Sequence, residues 1–217
     1  MSLPSIEILG KIVEDSAFAV GRSLVTYRRL GRPLTKIPSS ERNQEILKHL
    51  SIGAGLTANS LARITGKHKT IVGKDLAKLW EAGLVRQLAV ATDSAVFKLW
   101  TTADSRWPTT AQEACRMAVL GAFYALALKE APDFAWRLDR NSQGQIVGEM
   151  TFTGKSGRET WLIDVPRRGE TCTGNAQVYI FPTMAEAEAT VPNSAYRISD
   201  PHLFKGEQTL KTMLFLT

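Results

Sequence analysis

Residues 57–100 read TANSLARITGKHKTIVGKDLAKLWEAGLVRQLAVATDSAVFKLW, and the fold is decided there. Leu61, Ile64, Val72, Leu76 and Leu79 recur at spacings of three and four, the period of two short amphipathic helices. They meet at Thr65-Gly66, where glycine tolerates the positive φ of a tight inter-helix turn. The second helical pattern starts near Lys67 and ends at Gly83. Two runs rich in β-branched and aromatic residues follow, Leu84–Val90 and Ala95–Leu99, joined by Thr92-Asp93-Ser94. The predicted order is helix, turn, helix, hairpin. Lys67, His68, Lys69, Thr70, Lys74 and Lys78 fall on or near the side opposite the apolar stripe, whereas Trp80 belongs with the core.

The string LARITGKHKTIVGKDLAKLWEAGLV resembles the winged-helix families of bacterial DNA-binding proteins. In these an L-A-x-x-x-G turn precedes a recognition helix ending in L-x-x-L-x-x-x-G-L-V. The resemblance covers residues 41–101 and implies a winged helix-turn-helix that binds double-stranded DNA with its recognition helix in the major groove. Lysines are long point charges suited to phosphate, while His68 and Thr70 are better matched to base edges. On the hairpin, Arg86 and Lys98 are the candidate phosphate contacts, and Asp93 at the tip would repel phosphate. Gly73 departs from a good helix interior, where glycine costs about 1 kcal/mol relative to alanine. Two readings stand for it: close contact with a neighbouring helix, or close approach of the backbone to a groove.

Charge distribution agrees with a polyanion partner. The 217-residue chain carries a net charge of +6 with a pI near 9.4. Residues 1–105 hold 15 Lys and Arg against 9 Asp and Glu, whereas residues 106–217 hold 12 of each, so the whole excess sits in the helix-turn-helix half. Apolar content of 44% and charged content of 22% are those of a globular chain. The two cysteines, Cys115 and Cys172, and the three histidines, His49, His68 and His202, show no disulfide or metal-ligand spacing, so no metal and no cofactor is expected. No apolar run reaches the ~18 residues of a membrane span, and no signal-peptide core is visible, which predicts a cytoplasmic protein without membrane contact.

Upstream, Ile6, Leu9, Val13, Ala17, Val20, Leu24 and Tyr27 repeat at three or four residues and predict one helix over Pro4–Arg29, ending in the basic cluster Arg22, Arg28, Arg29 and Arg32. Such a leading helix packs on its own winged helix or forms a homodimer, as in many winged-helix repressors. Pro38-Ser39-Ser40-Glu41 opens the next helix, with Ser39 or Ser40 as cap and Ile46, Leu47, Leu50 and Ile52 as its core face. Thr57 caps the helix after it. The expected division is a leading helix over 1–35, the winged helix over 36–103, a linker over 104–110, and an α+β domain over 111–217.

In that last part, Thr110-Ala111-Gln112-Glu113 is a capping box opening a helix to about Lys129. Strand-like runs follow at 134–139, 145–153, 159–165, 177–181 and 195–198, with a short helix over Met184–Thr190. This order resembles the restriction-endonuclease-like core. The resemblance implies paired carboxylates holding magnesium, for which Asp133 and Asp164 are the candidates, but the family's lysine position falls on Pro166. It therefore implies a degenerate, non-catalytic core, with a metal-dependent nuclease as the enzymatic alternative. Arg167-Arg168 beyond it reads as a solvated turn, with contact to DNA as the other reading. A winged helix followed by such a domain is similar to the replication-relaxation family of plasmids and integrative elements. That implies an accessory protein of plasmid transfer, mobilisation or replication, part of a relaxosome or origin complex, with a relaxase or replication protein as partner. A dimeric transcriptional repressor is the alternative.

Overall fold

The computed structural model describes residues 5–8, 11–14, 16–27, 40–53, 55–130, 133–154, 157–172, 174–190 and 195–204. Among them the fold is mixed α+β, with six helices, a four-stranded sheet, a five-stranded sheet and a small hairpin. The hairpin pairs β1 (Ser5–Ile8) with β2 (Lys11–Glu14), and β3 (Gly21–Tyr27) follows. Where a single helix over Pro4–Arg29 is expected, the described residues form three strands instead. The residues explain it: Ile6, Ile8, Ile12, Val13, Val20, Val25 and Thr26 are β-branched, and stiff side chains of that kind favour pleated backbone. Tertiary pairing completes the override, because β3 lies against β5 (Val85–Thr92) from Gly21↔Thr92 to Tyr27↔Gln87.

Downstream, α1 (Glu41–Gly53) begins at Ser40, whose Oγ accepts from the Asn43 amide at 3.3 Å. β4 (Leu56–Thr57) leads into α2 (Ala58–Thr65), which Thr57 caps by accepting from the Ser60 amide at 3.1 Å. After α3 (Lys69–Glu81), β5 and β6 (Val96–Thr102) form an antiparallel hairpin in register from Val85↔Thr102 to Ala91↔Val96. The four-stranded order is β3-β5-β6-β4.

The centre of the molecule is α4 (Ala111–Glu130), with 15 of its 20 residues buried. Its cap forms, with the return bond one residue early: Thr110 Oγ1 accepts from the Glu113 amide at 3.1 Å, and the Glu113 carboxylate accepts from the amide of Thr109, not of Thr110, at 2.8 Å. Small residues let this helix serve both halves. A Cβ on Gly121 would stand 2.7 Å from the Gly55 carbonyl oxygen and 2.8 Å from Leu56, so only glycine permits this approach to β4. One hydrophobic cluster runs from Ile46, Leu61, Leu76 and Leu99 through Met117 and Phe123 to Trp136, Ile163 and Ile180, without a break at residues 104–110.

The five-stranded sheet has the order β11-β10-β9-β8-β7. β7 (Ala135–Arg140), β8 (Ile146–Gly154) and β9 (Gly157–Asp164) form an antiparallel meander. β10 (Val178–Phe181) is parallel to β9, and β11 (Tyr196–Ser199) is parallel to β10 after the crossover helix α5 (Met184–Thr190). The short α6 (Asp200–Phe204) ends the described chain. Arg63 of α2 ties it down, donating to the carbonyls of Leu203 at 2.9 Å and Phe204 at 2.8 Å. No helix among the described residues is long and apolar enough to cross a membrane.

Candidate nucleic-acid interface

The turn between α2 and α3 sets how α3 is presented. Gly66 closes α2 with φ of 63°, and the Lys67 amide donates back to the Ala62 carbonyl at 3.2 Å. His68 then caps α3: its Nδ1 accepts from the Thr70 amide at 3.3 Å. With Nδ1 accepting at the cap, Nε2 is left as the ring's other polar atom, on an exposed residue.

On α3 the residues sort cleanly. Val72, Leu76 and Leu79 are fully buried, and Trp80 packs beside them with Nε1 donating to the Tyr27 carbonyl at 3.3 Å. Lys69, Thr70, Ile71, Lys74, Ala77 and Lys78 are exposed, as is Lys67 in the turn before the helix. The single acid in the first two turns, Asp75, points inward at 1% exposure. Arg42 of α1 grips it, Nη2 donating to Oδ1 at 3.0 Å and Nε donating to Oδ2, while Lys78 Nζ stands 3.9 Å from Oδ1. This acid–arginine pair locks α3 to α1 and keeps a carboxylate out of the lysine face, which is uninterrupted until Glu81. Asp75 and Arg42 went unnoticed in the sequence, although an acid in phase with Leu76 and Leu79 is the signal for an inward partner.

Gly73 has no neighbour within 4 Å of where a Cβ would stand. Contact with a neighbouring helix among the described residues therefore does not account for it.

The hairpin contributes less than expected. Lys98 is exposed on β6, but Arg86 is buried at 6%. Its guanidinium donates to Thr101 Oγ1 at 3.3 Å, to the Trp107 carbonyl at 3.3 Å and to the Ser105 carbonyl. Arg86 thus fastens residues 105–107 to the sheet and is not available to phosphate; its place in line with Leu88 and Val90, both fully buried, is the physical reason. Asp93 at the hairpin tip is paired with Arg22 of β3, whose Nη2 donates at 2.9 Å, and this hydrogen bonding holds the Asp93 carboxyl below its ordinary range. Arg28, Arg29 and Arg32 of the expected basic cluster lie outside the described residues.

The acids proposed for metal do not converge. Asp133 precedes β7, whose Ala135 pairs with Thr151 and through it with Thr160, whereas Asp164 closes β9, level with Val147 and Asp139. The register offset of six residues amounts to about 20 Å along the strands. Asp164 is fully buried and serves as counterion to Arg116 at 2.5 Å, which also donates to the Ile146 carbonyl at 2.8 Å and to Glu170 at 2.6 Å. No group of three or more His, Cys, Asp or Glu placed to hold a metal occurs among the described residues. Arg167 is not in a solvated turn: at 1% exposure it donates to Asp200 at 2.5 and 3.2 Å and to the Ile180 carbonyl at 2.7 Å. Arg168 pairs with Glu186 at 2.8 Å. Both cysteines are free, and burial pushes the Cys115 thiol up to about 12, so it is no nucleophile.

No protein-family model, curated protein or solved structure matches the chain.

Proposed function

We propose that the protein binds double-stranded DNA as a winged helix-turn-helix, with the exposed face of α3 in the major groove. One observation carries this reading: Lys69, Lys74 and Lys78 stand exposed on the helix that follows a tight turn, with Lys67 exposed in that turn, while the helix's acid Asp75 is buried against Arg42. A face that segregates charge in this way suits a polyanion whose counterions are released on contact. The order α1, β4, α2, α3, β5, β6 supports the winged-helix assignment. Lysines 67, 69, 74 and 78 meet phosphates, His68 and Thr70 reach base edges, and Lys98 meets the backbone beside the groove. Gly73 allows the helix backbone to come close.

Residues 111–204 act as a platform through α4, and an accessory role on a mobile element rests on the resemblance in domain order alone. Dimerisation through a leading helix is not part of the proposal, since the described residues between 5 and 27 supply strands.

The test is binding to duplex DNA across a salt series. Each lysine that meets a phosphate contributes about 0.9 to the slope of log K against log salt. Lys69→Ala and Lys74→Ala are each expected to flatten it by about one unit and to leave melting unchanged. Unchanged slopes in both variants would remove α3 from the interface.

A further inference from the structure

Among the residues whose burial is described four large apolar residues are exposed, and Ile71 is the only one of them on a helix. The others, Val25, Tyr27 and Val96, lie on β3 and β6. Ile71 sits in the first turn of α3, its amide donating to the carbonyl of the cap residue His68 at 2.9 Å, and the residue is 40% exposed. An isolated surface hydrophobe needs no explanation in general. Here its surroundings give it one. Lys74 and Lys78 follow at three and seven residues, on the same flank of the helix, so an apolar branched side chain stands in line with two exposed cations. A bare phosphate or other inorganic anion gains nothing from such a side chain. The duplex major groove does gain, because its only apolar feature is the methyl group at C5 of thymine, beside edges that otherwise offer donors and acceptors.

We infer that Ile71 is a specificity-determining residue that packs on a thymine methyl and gives the protein a preference for an A·T pair at one fixed position of its site. The inference rests on the duplex-DNA reading above and adds the base class that the helix selects. The lysines supply affinity without sequence information, since phosphates are the same at every step. His68 and Thr70 offer hydrogen bonds to base edges. Ile71 supplies the one contact that hydrogen bonding cannot, and its stiff β-branched side chain loses little rotamer freedom on docking.

The experiment starts from a pool of duplexes with a randomised core, from which the full chain selects its bound sequences. Each thymine of the recovered site is then replaced in turn by deoxyuracil, which keeps the pairing edge and removes the methyl. The expected result is one position at which uracil weakens binding by about fourfold, the equivalent of one buried methyl group. Ile71→Ala is expected to bind the thymine probe more weakly and to lose the thymine-over-uracil preference, while keeping the wild-type salt slope. Ile71→Val, which retains a branched apolar contact, is expected to keep most of that preference. A probe carrying 5-methylcytosine at the same position identifies the source of the methyl. Bound no better than cytosine, it supports thymine; bound as tightly as the thymine probe, it overturns thymine selection in favour of any pyrimidine methyl.

If the lysine variants lower affinity but uracil substitution changes nothing at any position, the Ile71 assignment falls and DNA binding stands. If no duplex is enriched and none is bound at low salt, both fall.

Discussion

Gly73→Ala separates what α3 needs as a helix from what it does as an interface. As a helix, α3 gains: alanine replaces glycine in an interior turn for about 1 kcal/mol. The added Cβ meets nothing within 4 Å, so no strain offsets that gain. In a chain of this size 1 kcal/mol raises the melting midpoint by about 2–4 °C. On the proposed DNA-binding reading the same methyl would intrude on a groove wall that approaches the bare backbone. Overfilling a packed contact costs about 1–3 kcal/mol, equivalent to a loss of about 5- to 150-fold in affinity. Calorimetry on the free protein and fluorescence anisotropy on a labelled duplex read the two effects independently. The reasoning predicts a higher melting midpoint together with weaker binding. A higher midpoint with unchanged affinity would refute close backbone approach at Gly73; a lower midpoint would refute the open space beside it.

Other perturbations address the remaining assignments. Arg86→Ala frees the carbonyls of Ser105 and Trp107 and is expected to cost about 1–3 kcal/mol in denaturant titration, with no change in salt slope. A flattened slope would return Arg86 to the interface. Arg116→Met strands the buried carboxylate of Asp164 and is expected to cost about 3–5 kcal/mol, part of which Arg116→Met combined with Asp164→Leu recovers. Equal stability of the single and double variants would show that the pair is not coupled.

His49 is buried, with Nδ1 2.8 Å from the Tyr124 hydroxyl, and desolvation lowers its pKa from the ordinary 6.5. The unfolded chain therefore binds a proton that the folded chain refuses. Stability is expected to fall as pH drops below about 6.5 and to level off once the folded ring protonates, with no contribution above that range. Melting midpoints from about pH 8 down to about pH 5 test this, and His49→Gln is expected to flatten that limb. Magnesium-dependent cleavage by the wild type that Asp164→Ala abolished while remaining folded would contradict the structural role given to that carboxylate.

The helices around the turn were legible because their information is local. Ser40, Thr57 and Thr110 cap the helices they precede, Gly66 has the left-handed geometry its turn demands, and Leu61, Val72, Leu76 and Leu79 are buried as their spacing implies. The strands of the second half were legible from turn clusters such as Asn141–Gly144, whose Asn141 carboxamide accepts from the amides of Gln143 and Gln145. Residues 5–27 were misread because Ile6, Val13, Val20 and Leu24 satisfy a helical period by coincidence. Their β-branched content was the better guide, and the pairing partner that decides the matter, β5, lies some 65 residues away. The site suffered from the same non-locality. Arg86 and Lys98 look alike as basic residues on a hairpin, and only the pairing of β5 with β6 and the packing of residues 105–107 buries one and exposes the other. Asp133 and Asp164 looked pairable because spacing along a chain says nothing of which end of a sheet each residue occupies.

The central claim is that the lysine-bearing face of α3 lies in the major groove of duplex DNA. Dimethyl sulfate tests it directly on a bound duplex, since it methylates guanine at N7 in the major groove and adenine at N3 in the minor groove. Protection of guanine N7 within the bound segment, lost when Lys69 and Lys74 are both replaced by alanine, is the predicted result. Protection confined to adenine N3, or N7 protection that survives the double substitution unchanged, would contradict it.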